Sequence, residues 1–232
     1  MQRSTAASAC AVAATVLAAS AAALTPALGN AGVSAYVEGS QIASPRGSSL
    51  ALRAAPGSTR VLARLGRTTA FGSPTRVSVV AGRGAWVEVI SQALPNGSRA
   101  FVRRSEIALA RRPFVLEADL GRRRLVVWRW NRPVRRFPIA IGARISPTPS
   151  GRFSITDKLR NYDPADFGCC VLALSGHQTH LPPGWRGGDQ LAIHEGAGLG
   201  DAVSAGCLHA SRADMQYLTR TIPLGTEVFV HR

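Results

Sequence analysis

The chain has 232 residues, 28 lysine and arginine residues against 13 acidic ones, and a formal charge of +15, with Lys158 as its single lysine. Its 23 glycines, 14 prolines and 6% aromatic content favour short strands and turns over long helices, so the fold class expected is mostly β. The charge is read either as a solvated arginine surface or as attraction to a polyanionic partner. Because the arginines are scattered, with no basic helix, aromatic-interleaved strand or zinc-ligand spacing to organise them, nucleic acid is set aside in favour of an anionic extracellular polymer.

Residues 1–31 have the pattern of a leader: Arg3 supplies a positive start, an uncharged Ala/Val/Leu run follows from 6 to 24, and small residues come next. Cleavage after Ala27 or after Ala31 fits the small-residue rule, which makes this a signal peptide and the protein an exported one. Retained, the same segment would be an N-terminal anchor to a membrane. Cys10 leaves with the leader, so Cys169, Cys170 and Cys207 remain, an odd number in an oxidising compartment. Cys169 and Cys170 are adjacent and can bridge, bind a metal or do neither. A structural role is favoured, since no further ligand-spaced Cys or His accompanies them, and neither a metal nor another cofactor is expected.

A linker at 32–47 leads to a small domain at 48–110. An alternating stretch from Leu50 ends at the Pro56-Gly57 turn, and strand-length runs follow at 61–65, 76–81, 85–90 and 99–102, each bounded by Gly, Pro, Ser or Asn. Leu50, Arg53 and Pro56 at three-residue spacing, with Gly84-Ala85-Trp86 opening a strand, resemble the bacterial Src-homology-3-like wall-associated domains. That resemblance implies a small β-barrel acting as a spacer or weak wall binder, with Trp86 as a half-buried core aromatic. Arg111-Arg112-Pro113 marks the junction to a second domain at 113–232.

That domain begins as hairpins, with strands at 114–119, 124–130 and 134–141 and turns at Gly121 and Asn131. Near its end, Ser211 and Asp214 have the spacing of a helix start, and Met215, Leu218 and Ile222 form an apolar stripe. Pro223 and Gly225 stop the helix, and a last strand is expected at 227–230.

The chemistry is concentrated between Ala192 and His209. His194 precedes Cys207 by thirteen positions, and glycines at 196, 198 and 200 let the connection fold back and bring the two side chains together. A free thiol, with a pKa of about 8.5, is a poor nucleophile at neutral pH, and a neighbouring imidazole can ionise it. Cys207 is therefore expected to be the nucleophile and His194 the general base and acid. Ser204 is expected to support the site, and Gly206 to form an oxyanion turn in which the Cys207 N–H and a neighbour's stabilise the developing charge.

Ile193-His194-Glu195 and Ser204-Ala205-Gly206-Cys207-Leu208-His209 resemble the Ile-His-Gly and Ser-x-Gly-Cys-x-Arg signature of the L,D-transpeptidase catalytic domains. Ala140-Ile141-Gly142, Thr148-Pro149-Ser150-Gly151-Arg152-Phe153 and Ile222-Pro223-Leu224-Gly225-Thr226-Glu227-Val228 resemble further segments of that family, in the same order. The resemblance implies a β-sandwich-like catalytic domain with one or two short helices. It implies a cysteine acyltransferase of the cell wall or a periplasm-like space, acting on peptidoglycan stem peptides, with a role in cell-wall organisation and cell shape. The Cys207 thiolate would attack a donor tetrapeptide stem, D-Ala would leave, and an amine of an acceptor stem would resolve the thioester into a 3-3 cross-link. Anionic wall polymers are the polyanion this setting supplies. A carbapenem-type β-lactam is expected to acylate Cys207.

Two positions depart from the family pattern. His209 stands where arginine is usual and has a plain structural role as its first reading, with a second polar partner near Cys207 as the other; Glu195 stands where glycine is usual. His177 and His180 are expected in loops at the pocket rim. The competing readings are an L,D-carboxypeptidase, with water as the acceptor, another wall cysteine peptidase, and a non-catalytic wall-binding protein.

Overall fold

The computed structural model describes residues 39–160 and 167–232, so the leader expected at 1–31 lies outside the described residues. Seven strands, β1 (Ser40–Pro45), β2 (Ser49–Arg53), β3 (Val61–Gly66), β4 (Val77–Arg83), β5 (Trp86–Val89), β6 (Ala100–Arg103) and β7 (Ile107–Arg112), form one antiparallel sheet in the order β3-β2-β6-β5-β4-β1-β7. Alternation builds its core. In β5, Val87 and Val89 are buried while Trp86 and Glu88 are only half-buried, and the buried pair joins Leu50, Leu52, Val77, Val102 and Ile107 in one cluster. Trp86 lies under two guanidinium groups, those of Arg103 and Arg53, at 4.9 and 5.7 Å.

The linker expected at 32–47 differs from what forms there. Ser40–Pro45 is a strand between β4 and β7, and Ala43 is fully buried. Its Ser, Gln and Pro residues resemble linker composition, but Ile42 and Ala43 supply the apolar contacts that seat it.

Past the junction the chain forms β8 (Phe114–Asp119), β9 (Arg124–Arg129), β10 (Arg132–Pro138), β11 (Ile141–Gly142), β12 (Gly151–Arg160), β13 (Cys170–His177), β14 (Gln190–Glu195), β15 (Ala202–Ser204), β16 (Leu208–Ala210), α1 (Arg212–Thr221) and β17 (Glu227–His231). Eight of these strands pair in the order β10-β9-β8-β17-β12-β13-β14-β16, and β11 pairs with β15 separately. The strand expected to reach 130 stops at Arg129, because Trp130 and Asn131 both take positive φ, the backbone of a tight hairpin turn. At α1 the expected cap forms: the Asp214 N–H donates to Ser211 Oγ. Met215, Leu218 and Ile222 then bury completely against Leu172, Ile193 and Leu208 on the inner face of the sheet. No helix among the described residues is long and apolar enough to cross a membrane.

The two sheets meet through specific bonds. Ser40 Oγ donates to Phe114 O and accepts from Glu227 N–H, Ser78 Oγ donates to Gly225 O, and Thr69 Oγ1 donates to the buried carboxylate of Asp157. Between them lies a cavity of about 350 Å³, whose walls include Arg64, Arg76, Ser154, Thr156 and His177 but neither His194 nor Cys207.

Candidate active site

Strand register places the two candidate reacting groups. β14 and β16 run parallel, with Ile193 opposite Leu208 and His194 opposite His209. Ile193 and Leu208 point into the core, so their neighbours in sequence point to the other face. Cys207 stands two residues before His209, in the bend that leads into β16. The parallel pairing therefore brings the turn that carries Cys207 alongside the strand that carries His194.

His194 is buried, and its Nδ1 lies 2.8 Å from Glu195 O. A carbonyl only accepts, so Nδ1 carries the hydrogen and Nε2 presents its lone pair. The ring packs against Phe167, edge-on at 4.8 Å, and against His209 at 4.6 Å between centroids. His209 is itself held through Nδ1 to Ala197 O at 3.0 Å. Burial, with a smaller contribution from the charge of His209, pushes the His194 pKa down to about 4 and outweighs the bond to Glu195 O.

Cys207 is half-buried and not bridged, and burial pushes its thiol above the ordinary value. Burial thus favours the uncharged form of both groups, and no hydrogen bond joins them among the described residues.

The turn before Cys207 is closely bonded. Ser204 Oγ donates to Cys207 O at 2.6 Å and accepts from Gly206 N–H at 3.0 Å. Gly206 has φ +119, and its carbonyl accepts from Thr148 Oγ1. A Cβ there would lie 1.9 Å from Gln178 Nε2, so only glycine lets that amide in. Since its N–H is engaged by Ser204, Gly206 shapes the turn rather than offering a free donor. Two residues that no sequence motif singled out hold this turn from outside: Gln178 and Ser146 both bond Ala205 O, and Ser146 also bonds His180 O. His180 does stand in a loop, but His177 does not. It ends β13 at the joint between the two sheets, with Nε2 2.8 Å from Gln92 O and Nδ1 3.1 Å from the Asp189 carboxylate.

Glu195, the other departure from the family pattern, is committed to partners outside the turn that carries Cys207. Its carboxylate accepts from the Cys169 N–H at 2.7 Å and from Arg212 Nε at 3.1 Å. Cys169 and Cys170 are bridged to each other. No group of three or more His, Cys, Asp or Glu side chains among the described residues is arranged to hold a metal ion.

Comparison with known proteins adds the family. The family model described as YkuD, L,D-transpeptidase catalytic domain, matches residues 113–230. The YkuD protein of Bacillus subtilis is 30% identical over 125 residues, covering 52% of this chain and 67% of that protein. The YkuD protein of Bacillus licheniformis is 29% identical over 123 residues, covering 51% of this chain and 66% of that protein. The matched stretch thus spans about two thirds of the length of these relatives. Among solved structures, an L,D-transpeptidase from Mycobacterium smegmatis is 17% identical, with a TM-score of 0.42, 69% of this chain covered and 100% of that one.

Proposed function

The chain belongs to the L,D-transpeptidase catalytic domain family through residues 113–230, and we propose that it is a peptidoglycan L,D-transpeptidase with Cys207 as nucleophile and His194 as general base and acid. The observation that supports this reading is the parallel pairing of β14 and β16, which sets Leu208, the residue after Cys207, opposite Ile193, the residue before His194, with a half-buried unbridged thiol and an imidazole whose Nδ1 is tied to Glu195 O.

A neutral base suits a neutral thiol. As Sγ attacks the carbonyl of the donor stem, Nε2 of His194 takes the thiol proton, and the oxyanion is met by the Cys207 N–H at the end of the Ser204-braced turn. The C–N bond then breaks, D-Ala leaves with the proton returned by His194, and a thioester remains on Cys207. An amine of an acceptor stem attacks that thioester, its proton passes to His194, and collapse forms the new amide and restores the thiol. Burial keeps the His194 ring unprotonated near neutral pH, so Nε2 is open to the proton in both halves of the reaction.

Around this chemistry we place an exported protein at the cell wall. We read its seven-stranded sheet as a Src-homology-3-like spacer or weak wall binder, and its arginine excess as an attraction to anionic wall polymers. Incubation with disaccharide-tetrapeptides tests the proposal: 3-3 cross-linked dimers with release of D-Ala are expected. Trimmed monomers alone would make the protein a carboxypeptidase, and unchanged substrate would remove the enzymatic reading.

A further inference from the structure

We infer that Asn96 and Gln178 are positioning residues, through which the N-terminal sheet fixes the turn that carries Cys207. This inference rests on the assignment of Cys207 as nucleophile and gives the first domain a part in catalysis beyond tethering.

The path is short and made of directed bonds. Asn96 lies in the connection between β5 and β6, and its side-chain amide pairs with the backbone of His177 as a neighbouring strand would: Nδ2 donates to His177 O at 2.6 Å, and Oδ1 accepts from His177 N–H at 2.8 Å. The same connection holds the His177 ring through Gln92 O and the facing strand through a bond from Gln92 Nε2 to Gln190 Oε1 at 3.3 Å. Two bonds to one residue fix its backbone as well as its place.

The next residue is Gln178. It is buried, its N–H donates to Asp189 O at 2.6 Å, and Nε2 lies 3.1 Å from Ala205 O, 3.2 Å from Pro147 O and 3.3 Å from Ser146 O. Its Oε1 accepts from His180 N–H, so the amide is fully occupied and its orientation is set. One NH₂ group thereby ties together the loop at 146–147 and the carbonyl two residues before the sulfur. The absent side chain of Gly206 is the space this amide fills. A shift at His177 moves Gln178, and a shift of Gln178 rotates the peptides that aim the Cys207 N–H and Sγ. An error of about 1 Å in a reacting group is enough to cost on the order of 100-fold in rate.

Mere adhesion between the sheets would behave differently, and Ser78 provides the comparison, because its bond to Gly225 O joins the same two units without leading to the turn. Full-length wild type, Asn96→Ala, Gln178→Ala and Ser78→Ala are compared for kcat and KM on a soluble tetrapeptide donor, for Tm, and for amide hydrogen exchange at 204–208. The inference predicts kcat lower by about 10-fold in Asn96→Ala and about 100-fold in Gln178→Ala, with KM within about threefold. Both variants should exchange faster at 204–208, while Ser78→Ala keeps wild-type kcat and exchange there. Unchanged exchange at 204–208 in Asn96→Ala and Gln178→Ala, or a loss of kcat that only follows Tm as it does in Ser78→Ala, overturns it. If the wild type releases no D-Ala, the transpeptidase reading fails, and the exchange data still decide whether the path exists.

Discussion

The two halves of the site are positioned by different means. His194 lies within a strand, and its direction follows from ladder register and from rings packed on either side. Cys207 ends a turn whose shape depends on side-chain hydrogen bonds from Ser204, Thr148, Ser146 and Gln178 and on one glycine at positive φ. A strand is fixed by many weak, distributed contacts, so the base should tolerate single changes around it. The nucleophile's turn has a few strong, local constraints and should fail when one is removed.

The largest effects should come from the reacting groups, where the comparison vanishes. Cys207→Ala and His194→Ala are each expected to lower kcat/KM by at least about 1000-fold while the fold persists, read by D-Ala release and circular dichroism. Next is Gly206→Ala. A methyl group meeting the Gln178 amide, at a φ that side chains rarely adopt, should cost roughly 1–3 kcal/mol of stability and lower kcat by about 100-fold, measured by thermal melts and steady-state kinetics.

A smaller effect lies in the pH dependence. His194 must be neutral to act as base, and its folded pKa is about 4, so the acid limb of kcat/KM should fall with a midpoint near pH 4 rather than near the 6.5 of a free imidazole. The folded pKa lies below the unfolded one, so the protein keeps its full stability above pH 6.5. It should lose roughly 3 kcal/mol as pH falls through 6.5 to 4, because the unfolded chain takes up the proton first. The smallest expected change is His209→Phe, which keeps a ring against His194 but removes a charge that lowers its pKa. The acid midpoint should move upward with the plateau rate retained, in contrast to the fall expected from any change in the turn.

Much of this molecule was legible in its sequence where local chemistry decides the outcome. The strand at 114–119, the helix capped by Ser211 and the closing strand all follow from alternation and capping residues. The central strands were not legible. β13 is buried along almost its whole length, and a strand covered on both faces has no alternation to read. Ser40–Pro45 failed for a similar reason, since its burial comes from neighbours more than 30 residues away in sequence. Spacing also says nothing about desolvation, so the burial that acts on the thiol and the imidazole is not readable from their positions in the chain. Asn96 and Gln178 carry no local signal at all: their partners are backbone groups that only the folded chain brings near.

The most direct test of the central claim is the intact mass of the full-length protein mixed with a tetrapeptide donor stem and quenched in acid. A covalent adduct equal to the donor minus D-Ala, mapped to Cys207 and absent from Cys207→Ala, is the predicted result. An adduct on another residue, or D-Ala release that survives in Cys207→Ala, would contradict the account.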